Sequence, residues 1–313
     1  MIASVTMNPS LDMDIIVAGL LLNETNRWLK VRRYAGGKGI NASRAIHEMG
    51  GITVAYGLAG GHVGHSMEIL LDEEGVLFSF TPINRETRTN VIISDIKSAQ
   101  QARIDAPGPR ISKKELQRFL GKFRRIRPDP DLLILGGSIP PGIPDSIYYD
   151  IIAEANEHGV RCILDADGRW LAEGIKAGPF LIKPNVHETE MLLGRALPTE
   201  ESIIEAALSL VRSGIEIVVI SRGRNGIIAA SKDSLLKADA PKVKVRSSVG
   251  AGDCTIAGLA LKLADGEPLV EACRLAVAMG SAAVLTPGTE LCRKKDVERL
   301  LPKVKVETLA AKQ

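Results

Sequence analysis

The segment Ser247-Ser248-Val249-Gly250-Ala251-Gly252-Asp253-Cys254 sets three small residues and a carboxylate where a helical pattern, Thr255 to Leu263, takes over. Small residues at 250 to 252 let backbone N–H groups converge at a helix N-terminus, where the helix dipole also favours negative charge. Asp253 then falls in the first turn and faces whatever anion occupies it. A helix cap uses the same kinds of residue, so the turn gains meaning only from its company.

Three further turns supply that company. Ala35-Gly36-Gly37-Lys38-Gly39-Ile40-Asn41-Ala42 leads into a helix ending at Gly50. It is not a Walker A loop, because Lys38 is followed by Gly39 rather than Ser or Thr. Gly37, Gly39 and Ala42 fit a loose dinucleotide fingerprint, but the acidic residue expected about 20 positions on is missing near His62. Lys38 and Asn41, on the loop-facing side of a helix start, suit a small anionic or polyol ligand. Lys183-Pro184-Asn185-Val186-His187-Glu188 follows an apolar strand, Pro179 to Ile182. Asn185 and Glu188 stand three apart and share a face if a helix begins there; an ordinary capping box has the same spacing. Ser221-Arg222-Gly223-Arg224-Asn225-Gly226 closes the strand Ile217 to Ile220, and glycine turns at strand C-termini are where open α/β sheets bind ligands.

The elements that position these turns alternate. Asp131 to Leu135, Cys162 to Asp165 and Ile215 to Ser221 read as buried strands. Pro144 to His158, closed by Gly159, and Glu201 to Ser213, closed by Gly214, read as helices. Such alternation predicts a mostly parallel sheet with helices on both faces. A strand-like Lys242-Val243-Lys244-Val245 precedes the turn at Gly250. Two regions, Met13 to Tyr34 and Phe78 to Ala106, lack helical periodicity and predict inserted antiparallel strands that form a small separate sheet.

Composition narrows the class. A chain of 313 residues with ordinary apolar and charged fractions can bury a large core. A formal net charge of +3 is too small to imply nucleic acid, and the run Arg124-Arg125-Ile126-Arg127 and the pair Lys294-Lys295 read as solvated helix faces. Cys162, Cys254, Cys273 and Cys292 form no C-x-x-C pair, which favours a reduced compartment. The first residues lack a signal-peptide pattern, and Ala272 to Leu285 is too short to span a bilayer. The expectation is a cytoplasmic protein that binds neither membrane nor nucleic acid.

Taken together, the chain resembles the ribokinase-like PfkB sugar kinases over essentially its whole length, as one kinase domain at 1–313. Thr6-Met7-Asn8-Pro9-Ser10-Leu11-Asp12, Gly36 to Asn41, Thr87-Arg88-Thr89-Asn90 and Gly137-Ser138-Ile139-Pro140-Pro141-Gly142 carry the resemblance. Lys183-Pro184-Asn185 with Glu188, and Gly250 to Asp253, complete it. It is nearest to the phosphosugar branch: minor-type 6-phosphofructokinases, 1-phosphofructokinases and tagatose-6-phosphate kinases. The resemblance implies an α/β three-layer sandwich with a mostly parallel central sheet. It also implies a β-sheet lid, formed by the insertions at about 13–34 and 78–106, and a homodimer through that lid.

The same resemblance implies roles. Asp253 would accept the proton of the attacking sugar hydroxyl, and the N–H groups of Gly250, Ala251 and Gly252 would form an anion hole around the transferred phosphoryl group. Asn185 and Glu188 would help hold Mg²⁺. Lys183, Asn185, Ser221, Gly223, Gly226 and Ser248 would lie along ATP. Asp12, Gly37 and Asn41 would bind sugar hydroxyls, while Lys38, Arg88, Asn90, Ser138 and Arg27 from the lid would hold a phosphate already on the sugar. The C-terminal stretch Gly280 to Leu285 with Pro287 to Cys292 looks most like the minor 6-phosphofructokinases, which implies fructose 6-phosphate as acceptor. Lys38 instead looks like the 1-phosphofructokinase and tagatose-6-phosphate kinase pattern, and keeps fructose 1-phosphate and tagatose 6-phosphate open. Arg222 and Arg224 are either solvated or add contacts to nucleotide phosphates. A sugar-phosphate sensor without catalysis, or a nucleotide-dependent oxidoreductase resting on Gly37, Gly39 and Ala42, are the readings from other classes.

Overall fold

Uninterrupted runs of Ile, Val and Leu call for burial on both faces, and the chain uses them as interior strands. The computed structural model describes residues 1–98, 100–126 and 129–309; Arg127 of the basic run lies outside them. In chain order the strands are β1 (Ile2–Thr6), β2 (Ser10–Val17), β3 (Trp28–Gly36), β4 (Thr53–Ala59), β5 (Leu77–Pro82), β6 (Arg88–Asp95) and β7 (Gln100–Ile104). They continue with β8 (Leu132–Gly136), β9 (Arg161–Asp165), β10 (Leu181–Ile182), β11 (Ile217–Ser221), β12 (Ile227–Ser231), β13 (Leu235–Asp239) and β14 (Lys305–Thr308). The helices are α1 (Lys38–Glu48), α2 (Gly61–Glu74), α3 (Lys113–Phe123), α4 (Ile147–Glu157), α5 (Gly168–Gly174), α6 (Val186–Leu193), α7 (Glu200–Arg212), α8 (Ala251–Ala264), α9 (Leu269–Ala283) and α10 (Lys294–Leu300).

Ten strands form the main sheet in the order β14-β13-β12-β11-β10-β9-β8-β1-β4-β5. From β5 to β11 the neighbours run parallel, and β12, β13 and β14 close one end as antiparallel strands. Residues of α1, α8 and α9 share a buried cluster with one face of the sheet. Phe119 of α3 and residues of α4, α5 and α7 share a second cluster with the other face. The result is three layers. Cys162 lies in the second cluster, and Cys254, Cys273 and Cys292 in the first. Among the described residues no helix is long and apolar enough to cross a membrane.

Chain order reverses at β1: β4 and β5 extend the sheet to one side, β8 onward to the other. A ligand crevice is expected outside the carboxyl ends of the strands at such a switch point. The residues that close β1, β8, β9 and β11 are Thr6, Gly136, Asp165 and Ser221, and Lys183 directly follows β10.

A separate four-stranded sheet, in the order β3-β2-β6-β7, forms the lid. It differs from the expected insertions in two ways. β5 belongs to the main sheet, parallel to β4, because Phe78 and Phe80 pack with Met67 and Leu71 of α2; the second lid segment therefore begins at Arg88. The lid is also not wholly antiparallel, since β2 and β6 run parallel, pairing Asp12 with Asn90. The alternating Lys242 to Val245 stretch forms no strand. The edge of β13 that it would need is already taken by β14.

Candidate active site

A cleft of 1410 Å³ opens between the C-terminal ends of the main-sheet strands and the lid. Two helix starts face each other there. Gly37 caps α1 with φ 115°, and a β-carbon on it would stand 2.5 Å from Thr6 Cγ2. Only glycine satisfies both demands. Gly250 caps α8 with φ 79°, a left-handed conformation that aims the next amides outward from the helix end. Asn41, within α1, donates its Nδ2 to Asp253 Oδ2 at 2.7 Å, so the two helices meet on the carboxylate.

Asp253 is buried, and its carboxyl is pushed above the usual carboxylate range. Desolvation is the main cause and the nearby Asp165 carboxylate adds to it; Asn41, Lys38 and Lys183 act in the opposite direction. A base must be ionised to work, so activity should fall as pH drops through this raised value. Asn41→Ala removes a bond to the charged form and should move the acid limb of the pH–kcat profile further up. A limb that stays in place would show that the bond does not tune Asp253.

Asp165, at the end of β9, is an acid the sequence patterns did not single out. Lys38 Nζ lies 3.3 Å from Asp165 Oδ1 and 3.5 Å from Asp167 Oδ1, and Lys183 Nζ lies 3.6 Å from Asp165. Burial works to raise the Asp165 carboxyl, but Lys183 and Lys38 outweigh it and hold the group below the usual range. Burial works to lower Lys38, and Asp165 with Asp167 outweighs that and raises it. A signal was present: Asp165 terminates an apolar run at a strand C-terminus, as Ser221 does.

On the lid side, Asp12 accepts hydrogen bonds from Ser10 Oγ at 2.8 Å and Asn90 Nδ2 at 3.0 Å. Burial still raises its carboxyl. Arg88 donates to the Ala106 carbonyl at 2.7 Å and the Asn8 carbonyl at 2.9 Å, while its buried Nε has no partner. Among the described residues no carboxylate pairs with it, and burial lowers its pKa. Ser138 Oγ accepts from Asn8 Nδ2 at 3.0 Å, joining the loop after β8 to the same corner. Asn8 and Arg103 also line the cleft and were not anticipated.

At the other end, Lys183 is buried, and a β-carbon on Gly252 would stand 3.4 Å from its Nζ, so this ammonium lies against the α8 turn. Asn185 and Glu188 form a complete capping box: Asn185 Oδ1 accepts the Glu188 N–H and Glu188 Oε2 accepts the Asn185 N–H, both at 2.8 Å. Both still line the cleft. A side cavity of 440 Å³, lined by Asn185, Ser221 and Gly223, continues from it.

Most of the expected residues thus converge: Asp12, Gly37, Lys38, Asn41, Arg88, Asn90, Ser138, Lys183, Asn185, Glu188, Ser221, Ser248, Gly250, Gly252 and Asp253 all line the cleft. Ala251 sits between two of them as the first residue of α8. Two residues do not converge. Gly226 lines neither cavity; its φ is 80° and a β-carbon would stand 1.9 Å from the Ala238 carbonyl oxygen, so glycine is needed there for backbone packing. Arg27 is exposed on the lid beside Trp28 and lines neither cavity. Arg222 is turned inward, bonded to Glu200 at 2.6 Å and the Asn225 carbonyl at 2.6 Å, while Arg224 is exposed.

The sequence profile described as pfkB family carbohydrate kinase matches residues 5–296. The 1-phosphofructokinase of Bacillus subtilis is 34% identical over 309 residues, covering 99% of this chain and 100% of that protein. The ATP-dependent 6-phosphofructokinase isozyme 2 of Mycobacterium tuberculosis is 34% identical over 299 residues, covering 95% of this chain and 88% of that one. Phosphofructokinase-2 from Escherichia coli in complex with fructose-6-phosphate superposes with a TM-score of 0.91 at 31% identity, covering 96% of this chain and 98% of that one. A second structure of that enzyme is described as a tetrameric inhibited form.

Proposed function

We propose that this chain, which belongs to the pfkB family of carbohydrate kinases, transfers the γ-phosphoryl group of ATP to fructose 6-phosphate. It is a phosphotransferase with an alcohol group as acceptor, of phosphofructokinase type. The observation that carries an already phosphorylated acceptor is Arg88, a half-buried guanidinium held by two main-chain carbonyls and no carboxylate. Asp12 and Asp105 act on that charge without forming an ion pair with it; a phosphate would give it a direct counterion. Lys38 is engaged by Asp165 and Asp167, which argues against its being the free cation that fructose 1-phosphate would require; tagatose 6-phosphate carries its phosphate where fructose 6-phosphate does, and turnover separates those two.

Phosphoryl transfer is largely positioning and charge stabilisation. In this reading Asp253 receives the hydroxyl proton, and Asn41 fixes the carboxylate so that an oxygen faces the acceptor. Amides of Gly250, Ala251 and Gly252, with Lys183 beside them, stabilise charge on the moving group without reorganising. Asp12 and Asn90, already bonded to each other, orient sugar hydroxyls. ATP runs along Lys183, Asn185, Ser221 and Gly223, with Ser248 opposite. Mg²⁺ prefers a carboxylate or two plus phosphates and retained waters. Glu188 fits, because the capping box occupies its Oε2 and leaves Oε1 for the ion; bound there, the ion would neutralise phosphate charge.

Turnover should be highest with fructose 6-phosphate among fructose 6-phosphate, fructose 1-phosphate, tagatose 6-phosphate and fructose. Preference for another ketohexose phosphate would correct the acceptor; preference for fructose would sink the phosphosugar assignment. Arg88→Gln should raise KM for the sugar phosphate by roughly 10–100-fold, the range of a hydrogen bond to a charged group, and leave KM for ATP unchanged. An equal rise in both would place Arg88 outside the acceptor site.

The lid also presents an apolar end. Leu21, Leu22, Trp28, Leu29 and Ile96 are each more than half exposed, and Trp28 and Ile96 both abut Val17. We assign this end to a homodimer contact. Sedimentation should give a dimer for the parent chain and a monomer for Leu22→Asp/Trp28→Asp; a monomeric parent would refute the contact.

A further inference from the structure

We propose that a groove between α3 and strands β4 and β5 is a second anion site, shaped for a small organic polyphosphate of nucleotide size. It measures 1160 Å³ and shares no lining residue with the active-site cleft.

The proposal rests on four cations set against one carboxylate. Lys114, Arg118 and Lys122 stand four apart on α3 and line the groove together, and Arg125 follows just past the helix end. Like charges at this spacing repel one another on a helix. Among the described residues the one carboxylate in the groove, Glu115, acts on Arg118 and forms no ion pair with any of the four. Arg118 donates to the Pro82 carbonyl at 3.1 Å and Lys122 to the Phe80 carbonyl at 3.0 Å, contacts that fix the side chains but leave both charges intact. Lys114 and Arg125 pair with no carboxylate among the described residues. Glu115, the one acidic lining residue, accepts Ser112 N–H, Ser112 Oγ–H and Asn84 N–H, so its oxygens are committed to the helix cap.

A concave surface lined by one sign of charge focuses its field and concentrates counter-ions. The volume lies just above the roughly 300–1,000 Å³ usual for small-molecule sites, far more than a simple anion fills. Val54 and Tyr56, on one face of β4, give an apolar surface for a base or sugar, while the four cations face the phosphates. A flat solvated helix face would offer neither the concavity nor the aromatic floor.

Labelled ADP serves as the probe, in equilibrium dialysis on the full chain and on Lys114→Glu/Arg125→Glu, whose altered side chains are exposed. The parent should bind one more equivalent of ADP per chain than the variant. Inorganic tripolyphosphate should displace that extra equivalent if phosphates alone are recognised, and only ADP should hold it if the base contributes. In the parent alone, ADP should slow amide hydrogen exchange over Lys113–Phe123. Equal stoichiometry in the two proteins, with no difference in exchange, overturns the site. Failure of the cleft to bind nucleotide would lower both counts alike and leave the difference standing.

Discussion

Asp253→Asn should lower kcat by about 10²–10⁴-fold, the usual contribution of a positioned general base, while nucleotide binding persists. The fold should not suffer. Asn41 Nδ2 can still donate to the new side-chain oxygen, as it does to Asp253 Oδ2, and the new amide can donate to Asn41 Oδ1, which has no partner now. The substitution also removes a carboxylate disfavoured by burial and by the neighbouring charge of Asp165. The melting temperature should therefore hold or rise, as expected where a site is kept strained for function. A coupled turnover assay, ATP titration and calorimetry on one preparation would check all three. Full turnover in the variant would remove Asp253 from the base role. Unchanged biological function with no transfer in either protein would favour a sugar-phosphate sensor.

The elements that hold this site were readable to different depths. The alternation of apolar strands with capped helices pointed to the parallel sheet, and each glycine turn fell at a helix start or strand end. That was possible because burial on both faces and helix termination leave local marks. Phe78-Ser79-Phe80 alternates equally well in a lid or a main sheet; the contact of β5 with α2 decides, and that contact is not local. Lys242 to Val245 alternates too, yet has no free edge to join. Asn185 and Glu188 illustrate a different limit. A capping box and a cleft-lining pair are the same residues at the same spacing, and the structure has both. Asp165 is illegible in sequence because a single acid after an apolar run is unremarkable until Lys38 and Lys183 are brought to it from two other elements. Sequence periodicity reports which face is buried; it does not report which charges meet.

Asp165→Asn should be the most destabilising single change in the cleft. Lys183 is buried and Lys38 mostly so, and both share one carboxylate. An amide keeps the shape but cannot neutralise them, and breaking a buried pair from one side costs about 3–5 kcal/mol, a fall in melting temperature on the order of 10 °C for a chain of this size. The pH dependence follows from the directions of the shifts. The Asp165 carboxyl is held below its ordinary value, so its contribution is present above that value and is lost as pH falls through the folded one. Lys38 is held above its ordinary value, so its contribution is present below that value and is lost as pH rises through the folded one. The deficit of the variant should therefore be widest between the two ranges and shrink toward either extreme. Lys38→Met should be milder, because Asp165 keeps Lys183, and Lys38→Met/Asp165→Asn should recover part of the loss, since it removes the repulsion between two ammoniums of which Lys38 keeps only the exposed Asp167 and Lys183 keeps no carboxylate. A second readout separates this brace from ordinary packing. Asp165 is one of the groups that raise Asp253, so the acid limb of the pH–kcat profile should move down in Asp165→Asn, opposite to its movement in Asn41→Ala. Movement of both limbs in the same direction would mean that the two residues act on Asp253 through distortion rather than charge.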